Sequence, residues 1–208
     1  MTNYKYNNLE KILHRQFLSE SSPISNFLLK RLVEKSKKYT KGSNAKHIFI
    51  TGLARSGTTA ILNKLYESKV FGSILYKHMP FILSPSLAKY FSKLDNSREK
   101  DYQERFHRDG IKFGPKSPEC LDEVFWLRTS GKWFKRKYLK VYKPSRNQIN
   151  IYAYLLSEFA KIEDKERMLI KNNNNHLRII ELSKYFISSK FFILFRNPLF
   201  HANSLLIQ

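Results

Sequence analysis

Cysteine is nearly missing from this chain of 208 residues: Cys120 stands alone. One thiol closes no internal disulfide, and no C-x-x-C pair stands ready for zinc. The chain therefore reads as cytoplasmic, or at least independent of disulfides. Long apolar runs are missing too. No stretch nears the roughly 20 apolar residues that cross a bilayer, and the start MTNYKYNNLEKILHRQF is too polar for a signal peptide. A membrane-anchored enzyme of the secretory pathway is disfavoured. Acidic residues are scarce, 17 Asp and Glu against 38 Lys and Arg, which leaves a formal charge of +21. Such an excess favours anionic partners and costs self-repulsion.

What is present argues for a folded chain, with 42% hydrophobic and 14% aromatic residues. The length suits one core, with room for an inserted lobe. Residues 1–46 carry two amphipathic helical patterns, around Leu9 to Leu18 and Ile24 to Val33, and read as an N-terminal helical extension. From residue 47 strand and helix alternate: HIFIT, a helix to about Glu67, a short strand near FGSILYK, then ERMLIK, the helix NHLRIIELSKYF, KFFILF and a last helix near Leu199. Alternation of this kind predicts an α/β fold, a parallel sheet covered by helices, over residues 47–208. Residues 82–165 read as a largely helical insertion.

The cations are not confined to a tail. Between Arg128 and Arg146 stand eight Lys or Arg and no acid, interleaved with Trp133, Phe134, Tyr138 and Tyr142. Three readings stay open: a nucleic-acid surface where rings stack on bases, the wall of a cleft for a small anion, or a solvated face.

The stretch HIFITGLARSGTT runs from a strand into G-x-x-x-x-G, with Gly52 and Gly57 as its glycines. A glycine loop between strand and helix presents backbone N–H groups, and the helix terminus adds about half a positive charge, so it suits phosphate or sulfate. Nucleoside triphosphatases place Lys after the second glycine and a strand-end Asp near the magnesium. Here Thr58 holds the lysine position, and two other strands end in Lys171 and Arg196. The cation lies inside the loop, at Arg55.

GLARSGTT resembles the 5′-phosphosulfate loop, G-x-P-[RK]-S-G-T-T, of sulfotransferases that use 3′-phosphoadenosine 5′-phosphosulfate (PAPS), with Ala54 in place of the usual Pro. FRNPLFHANS resembles the family's 3′-phosphate segment, with Arg196 at a strand end, Pro198, and Ser204 eight positions after the Arg. KNNNNHLRIIELSKYF and SPECLDEVFW are similar to internal segments of bacterial members, so the likeness spans about residues 47–208. It implies a P-loop fold, three-layer α/β/α and nucleotide-kinase-like, around a central parallel sheet. It also implies metal-free transfer of a sulfuryl group from PAPS to an acceptor hydroxyl, on a glycan or another cell-surface molecule. Arg55 would balance charge on the sulfuryl group, Ser56, Gly57, Thr58 and Thr59 would hold the 5′-phosphate, and Arg196 with Ser204 the 3′-phosphate.

In-line transfer also needs a general base. The family places one after the strand that follows the loop helix, where YKHMPF resembles the H-L-P of cytosolic members; His78 is the first candidate. Glu119 and Glu123 are the alternates: four apart, they share a face if PECLDEVFW is helical, though Pro118 and the acids also suit a helix start. His107 in FHRDG is a third candidate, and His14, His47, His176 and His201 read as structural. Lys171 and the asparagines after it sit at a strand end where ligands bind; alternatively Asn174 or Asn175 caps the next helix. The chain stops at HANSLLIQ inside an apolar helix, whereas similar sulfotransferases continue, which implies a C-terminal truncation that weakens donor binding. Competing functions are a P-loop kinase or NTPase and a non-enzymatic basic protein that binds nucleic acid.

Overall fold

The computed structural model describes residues 8–39, 44–94, 102–104, 111–119, 121–130, 134–135, 138–139 and 141–206. His107, Cys120 and Trp133 lie outside them. The chain opens with α1 (Asn8–Leu18) and α2 (Pro23–Ser36). Ser22 starts α2 by accepting from the Ser25 N–H, and Pro23 fits the first turn because no N–H is needed there.

Next come β1 (Ile48–Gly52), the loop 53–57 and α3 (Thr58–Glu67), then β2 (Gly72–Ser73), a 3₁₀ helix (Tyr76–Phe81) and α4 (Pro85–Lys93). Two short antiparallel pairs flank α5 (Glu123–Ser130): β3 (Gln103–Glu104) with β4 (Lys112–Phe113), and β5 (Phe134–Lys135) with β6 (Tyr138–Leu139). The largely helical reading of 82–165 misses these pairs. α6 (Arg146–Ile162) follows, its start fixed by a reciprocal box in which Gln148 N–H donates to Ser145 Oγ (3.2 Å) and Ser145 N–H to Gln148 Oε1 (2.8 Å). The chain then forms β7 (Met168–Lys171), a 3₁₀ helix (Asn173–Leu177), α7 (Ile179–Tyr185), β8 (Lys190–Leu194) and α8 (Pro198–Leu206).

The fold is α/β, as expected: four strands pair in the order β2-β7-β1-β8, all parallel, with helices flanking the sheet. Ile48 lies opposite Leu169 on one side and Lys190 on the other. β1 is buried at every residue, the signature of a central parallel strand. Phe49 stacks on Phe191, rings 4.7 Å apart, and packs on Phe186 at 5.2 Å. α6 lays Ile149, Tyr152, Leu156 and Phe159 against this core, each such burial stabilising by about 1.5–3 kcal/mol. Leu28 and Leu32 of α2 join the same cluster. Among the described residues no helix is long and apolar enough to cross a membrane.

This topology positions the site. Because β7 and β8 both run parallel to β1, their C-terminal ends flank the glycine loop, and the chain crosses to opposite sides of β1 there, the place where open α/β sheets bind ligands.

Candidate functional site

The loop is shaped by close approach. A Cβ on Gly52 would stand 2.4 Å from the Leu194 carbonyl oxygen and 2.6 Å from Ser56 Oγ, so only glycine fits. The chain then turns tightly, Ser56 N–H donating to Leu53 O at 3.1 Å, and takes left-handed backbone at Arg55 (φ 69) and Gly57 (φ 92). Gly57 starts α3 with no side-chain cap. Ser56 Oγ is buried with no hydrogen-bond partner. Thr58 is buried and donates its hydroxyl proton to Asn173 Oδ1 (3.2 Å), while Thr59 is half-buried beside it.

On the β8 side, α8 folds onto this loop. Arg55 Nε donates to Ser204 Oγ at 3.1 Å, and His201 Nε2 donates to Ala54 O at 2.6 Å. The two segments singled out in the sequence therefore meet through Arg55 and Ser204 themselves, 149 residues apart. Arg196 stands exposed just past the end of β8, and Asn197 Oδ1 accepts from the Leu199 N–H to open α8. His201, which the sequence suggested to be structural, touches the loop; its spacing of three before Ser204, one helical turn, is the signal that was there to read.

The β7 side is closed by charged and polar groups. Lys171 Nζ pairs with Glu119 Oε2 at 3.0 Å, the two side chains 14% and 15% exposed. Asn172 Nδ2 donates to Asp122 Oδ1 (2.8 Å) and Glu123 Oε2 (2.7 Å). Tyr152 Oη donates to the other Asp122 oxygen, and Arg178, 1% exposed, pairs with Glu123 and lies over the Trp126 ring at 4.7 Å. Burial pushes the Asp122 carboxyl up to about 6, against the lowering pull of its bond from Tyr152 and the Arg178 charge. Asn173 ties this side to the loop, accepting from Thr58 through its side chain and from Thr51 Oγ1 through its carbonyl at 3.0 Å.

Three sequence expectations change here. Glu119 and Glu123 do not share a helix face, because α5 begins only at Glu123; they meet the same strand end by different partners. The cap after β7 is Asn172, whose Oδ1 accepts from Asn174 N–H at 2.8 Å, and neither Asn174 nor Asn175 takes that place. His78 is fully buried: its Nδ1 accepts from Leu75 N–H (3.1 Å), Nε2 meets Ser92 Oγ (2.9 Å), and its ring packs on Phe159. An acceptor of nitrogen-bound hydrogen at Nδ1 fixes the proton on Nε2, so this is a neutral imidazole in a packed core. Asp122 and Arg178 lie in segments that carry the resemblance and Asn173 among the asparagines placed at the strand end, but no role was read for Asp122, Tyr152 or Arg178; their contacts join segments about 30 to 115 residues apart.

Among the described residues no three His, Cys, Asp or Glu side chains gather as a metal site. Comparison of the chain with models of protein families, with curated proteins and with solved structures gave no match.

Proposed function

We propose that this chain is a PAPS-dependent sulfotransferase with a P-loop, nucleotide-kinase-like fold, moving a sulfuryl group to an acceptor hydroxyl on a glycan or another cell-surface molecule. The observation that supports it most is the bond between Arg55 and Ser204, which joins the segments that would hold the two ends of one nucleotide. The loop fits the donor on two counts. Ser56 Oγ is a buried hydroxyl with a proton to give, and Gly52 keeps the loop close against β8 where a Cβ would push it away.

PAPS supplies an activated sulfuryl group on a phosphate that can leave. Ser56, Gly57 and Thr59, with the uncapped first turn of α3, hold the 5′-phosphate by backbone N–H and hydroxyl donors. Thr58 serves through its backbone amide, since its hydroxyl proton is committed to Asn173. Arg55 balances the charge that grows on the bridging oxygen, a preorganised cation in a half-buried place. Ser204 accepts from Arg55 and keeps its own proton for a 3′-phosphate oxygen, and Arg196 offers its planar fork to the same phosphate.

For the base, Glu119 fits better than His78. It lies at the sheet's C-terminal rim on Lys171, where it can take the acceptor proton while the ammonium keeps the carboxylate in place. Glu123 is bound to Asn172 and Arg178, which suits a positioning role.

Calorimetric titration with adenosine 3′,5′-bisphosphate, against ATP with magnesium, tests the reading. The bisphosphate binds, and Arg55→Ala and Arg196→Ala each weaken it about tenfold or more, the size of a lost charged hydrogen bond. Binding of the magnesium nucleotide alone would move the chain to the kinase reading.

A further inference from the structure

We infer that the chain has a second ligand site, away from the glycine loop, that takes a single-chain amphiphile with an anionic head. A cavity of about 390 Å³ opens between α2, α4 and α6. That volume lies in the range of small-molecule sites, about 300–1,000 Å³. None of its lining residues belongs to the rim of β1, β7 and β8.

Its walls and its mouth differ in chemistry. Leu28, Leu32 and Leu83 form an apolar floor, and the half-buried Tyr154 closes one side. At the mouth stand Arg31 and Lys35, one helical turn apart on the exposed edge of α2. Lys35 Nζ is held over α4 by Ser86 Oγ at 3.4 Å. The acid that lines the cavity, Glu158, already pairs with Lys161 at 2.6 Å, so it does not cancel the two cations. Phe27, at the same mouth, is 58% exposed and extends the apolar surface outward.

A ligand that matches both parts buries an apolar body on the leucines and leaves an acid between Arg31 and Lys35. A neutral apolar molecule fills the floor and wastes the mouth; a cationic head is repelled. The complementarity therefore selects a carboxylate on a medium-length acyl chain. Leu28 and Leu32 belong to the main core cluster, so occupancy also stiffens the packing of α2 on α6.

Decanoate, decanol and decyltrimethylammonium, one chain with three heads, provide the test by calorimetry on the full chain. Decanoate binds at one site, about tenfold or more tighter than decanol, and the cation does not bind. Arg31→Gln with Lys35→Gln, both exposed, brings decanoate to the level of decanol. Leu87→Trp, on the half-buried α4 wall, removes saturable binding of both while circular dichroism stays unchanged. Equal affinity for the three heads, or binding that survives Leu87→Trp in a folded protein, overturns the proposal; the second result marks general attraction to a chain of charge +21. Binding of adenosine 3′,5′-bisphosphate is unaffected in both variants, which separates this site from the loop.

Discussion

The two strands that flank β1 end in opposite ways. At the end of β7, Asn172 is 7% exposed, and Asp122 and Arg178 behind it are 0% and 1%. At the end of β8, Phe195 is 86% and Leu199 80% exposed, and Arg196 is exposed as well. Both ends carry a cation near the loop, yet one set is fixed by neighbours and the other stands in water. The difference teaches how one rim divides its tasks. Groups on the β7 side are held before any ligand arrives, so changes there act first on stability. Groups on the β8 side are held mainly by α8, so under the proposed function changes there act first on binding.

The largest contrast is between two arginines. Arg178→Met leaves Glu123 facing Asn172 without its cation and removes the stack on Trp126. Breaking a buried pair costs about 3–5 kcal/mol, and the lower end applies because the Glu123 side chain is 26% exposed. Arg196→Ala, on an exposed side chain, costs under about 0.5 kcal/mol. Urea midpoints at constant slope measure both. Equal losses would break the comparison.

A second test uses pH and sharpens what burial does on the β7 side. Asp122, raised from 3.8 to about 6, holds its proton in the fold more tightly than in the unfolded chain. Its contribution is therefore present at low pH and falls away as pH rises from 3.8 through 6, by about 3 kcal/mol in all. His47, at the start of β1 and mostly buried, is lowered from 6.5 to about 4 by desolvation, with the Arg167 charge adding to it. Its neutral Nδ1 accepts from the Met168 N–H at 3.2 Å. Below 6.5 the unfolded chain gains the proton first, so stability falls with decreasing pH down to about 4, again by about 3 kcal/mol. The two slopes oppose each other between about pH 4 and 6. Asp122→Asn leaves a chain that loses stability on acidification through that window, and His47→Gln leaves one that gains it. The same slope in both variants would show that Asp122 is not held as its burial requires.

Much of the fold was legible because its signals are local. The buried run IFIT and the alternation after residue 165 each announce an element within a few residues, whereas the Ser145 and Gln148 box that starts α6 was not read. β2 was harder: only Gly72 and Ser73 pair, and Phe71 to Leu75 looks longer by composition. In the site, Arg55 and Ser204 were legible because each sits at a fixed offset inside a short segment. Asn173 was legible only as one of several asparagines at a strand end, and Asp122 and Arg178 were not, since their partners come from distant elements. His78 shows the opposite relation between sequence and packing. Its neighbourhood in sequence matched a family pattern, and the packing of Phe159 and Ser92 around it made it a core residue.

The smallest effect concerns the one place where the β8 side is as tightly built as the β7 side. Gly52 ends β1 opposite Leu194, and a Cβ there meets a backbone oxygen at 2.4 Å, which no side-chain rotation relieves. Ser56 Oγ, at 2.6 Å, is displaced by the same atom. Gly52→Ala therefore forces β8 or the loop to shift, at a cost of about 1–3 kcal/mol by the measure of overpacked sites. The shift separates α8 from the loop, so the Arg55 to Ser204 bond lengthens and, under the proposed function, bisphosphate affinity falls even where the chain stays folded. Gly57→Ala serves as the comparison, since a Cβ there meets nothing within 4 Å and only its φ of 92° is strained. If Gly52→Ala weakens binding no more than Gly57→Ala, the close contact with Leu194 is not what holds the two segments together.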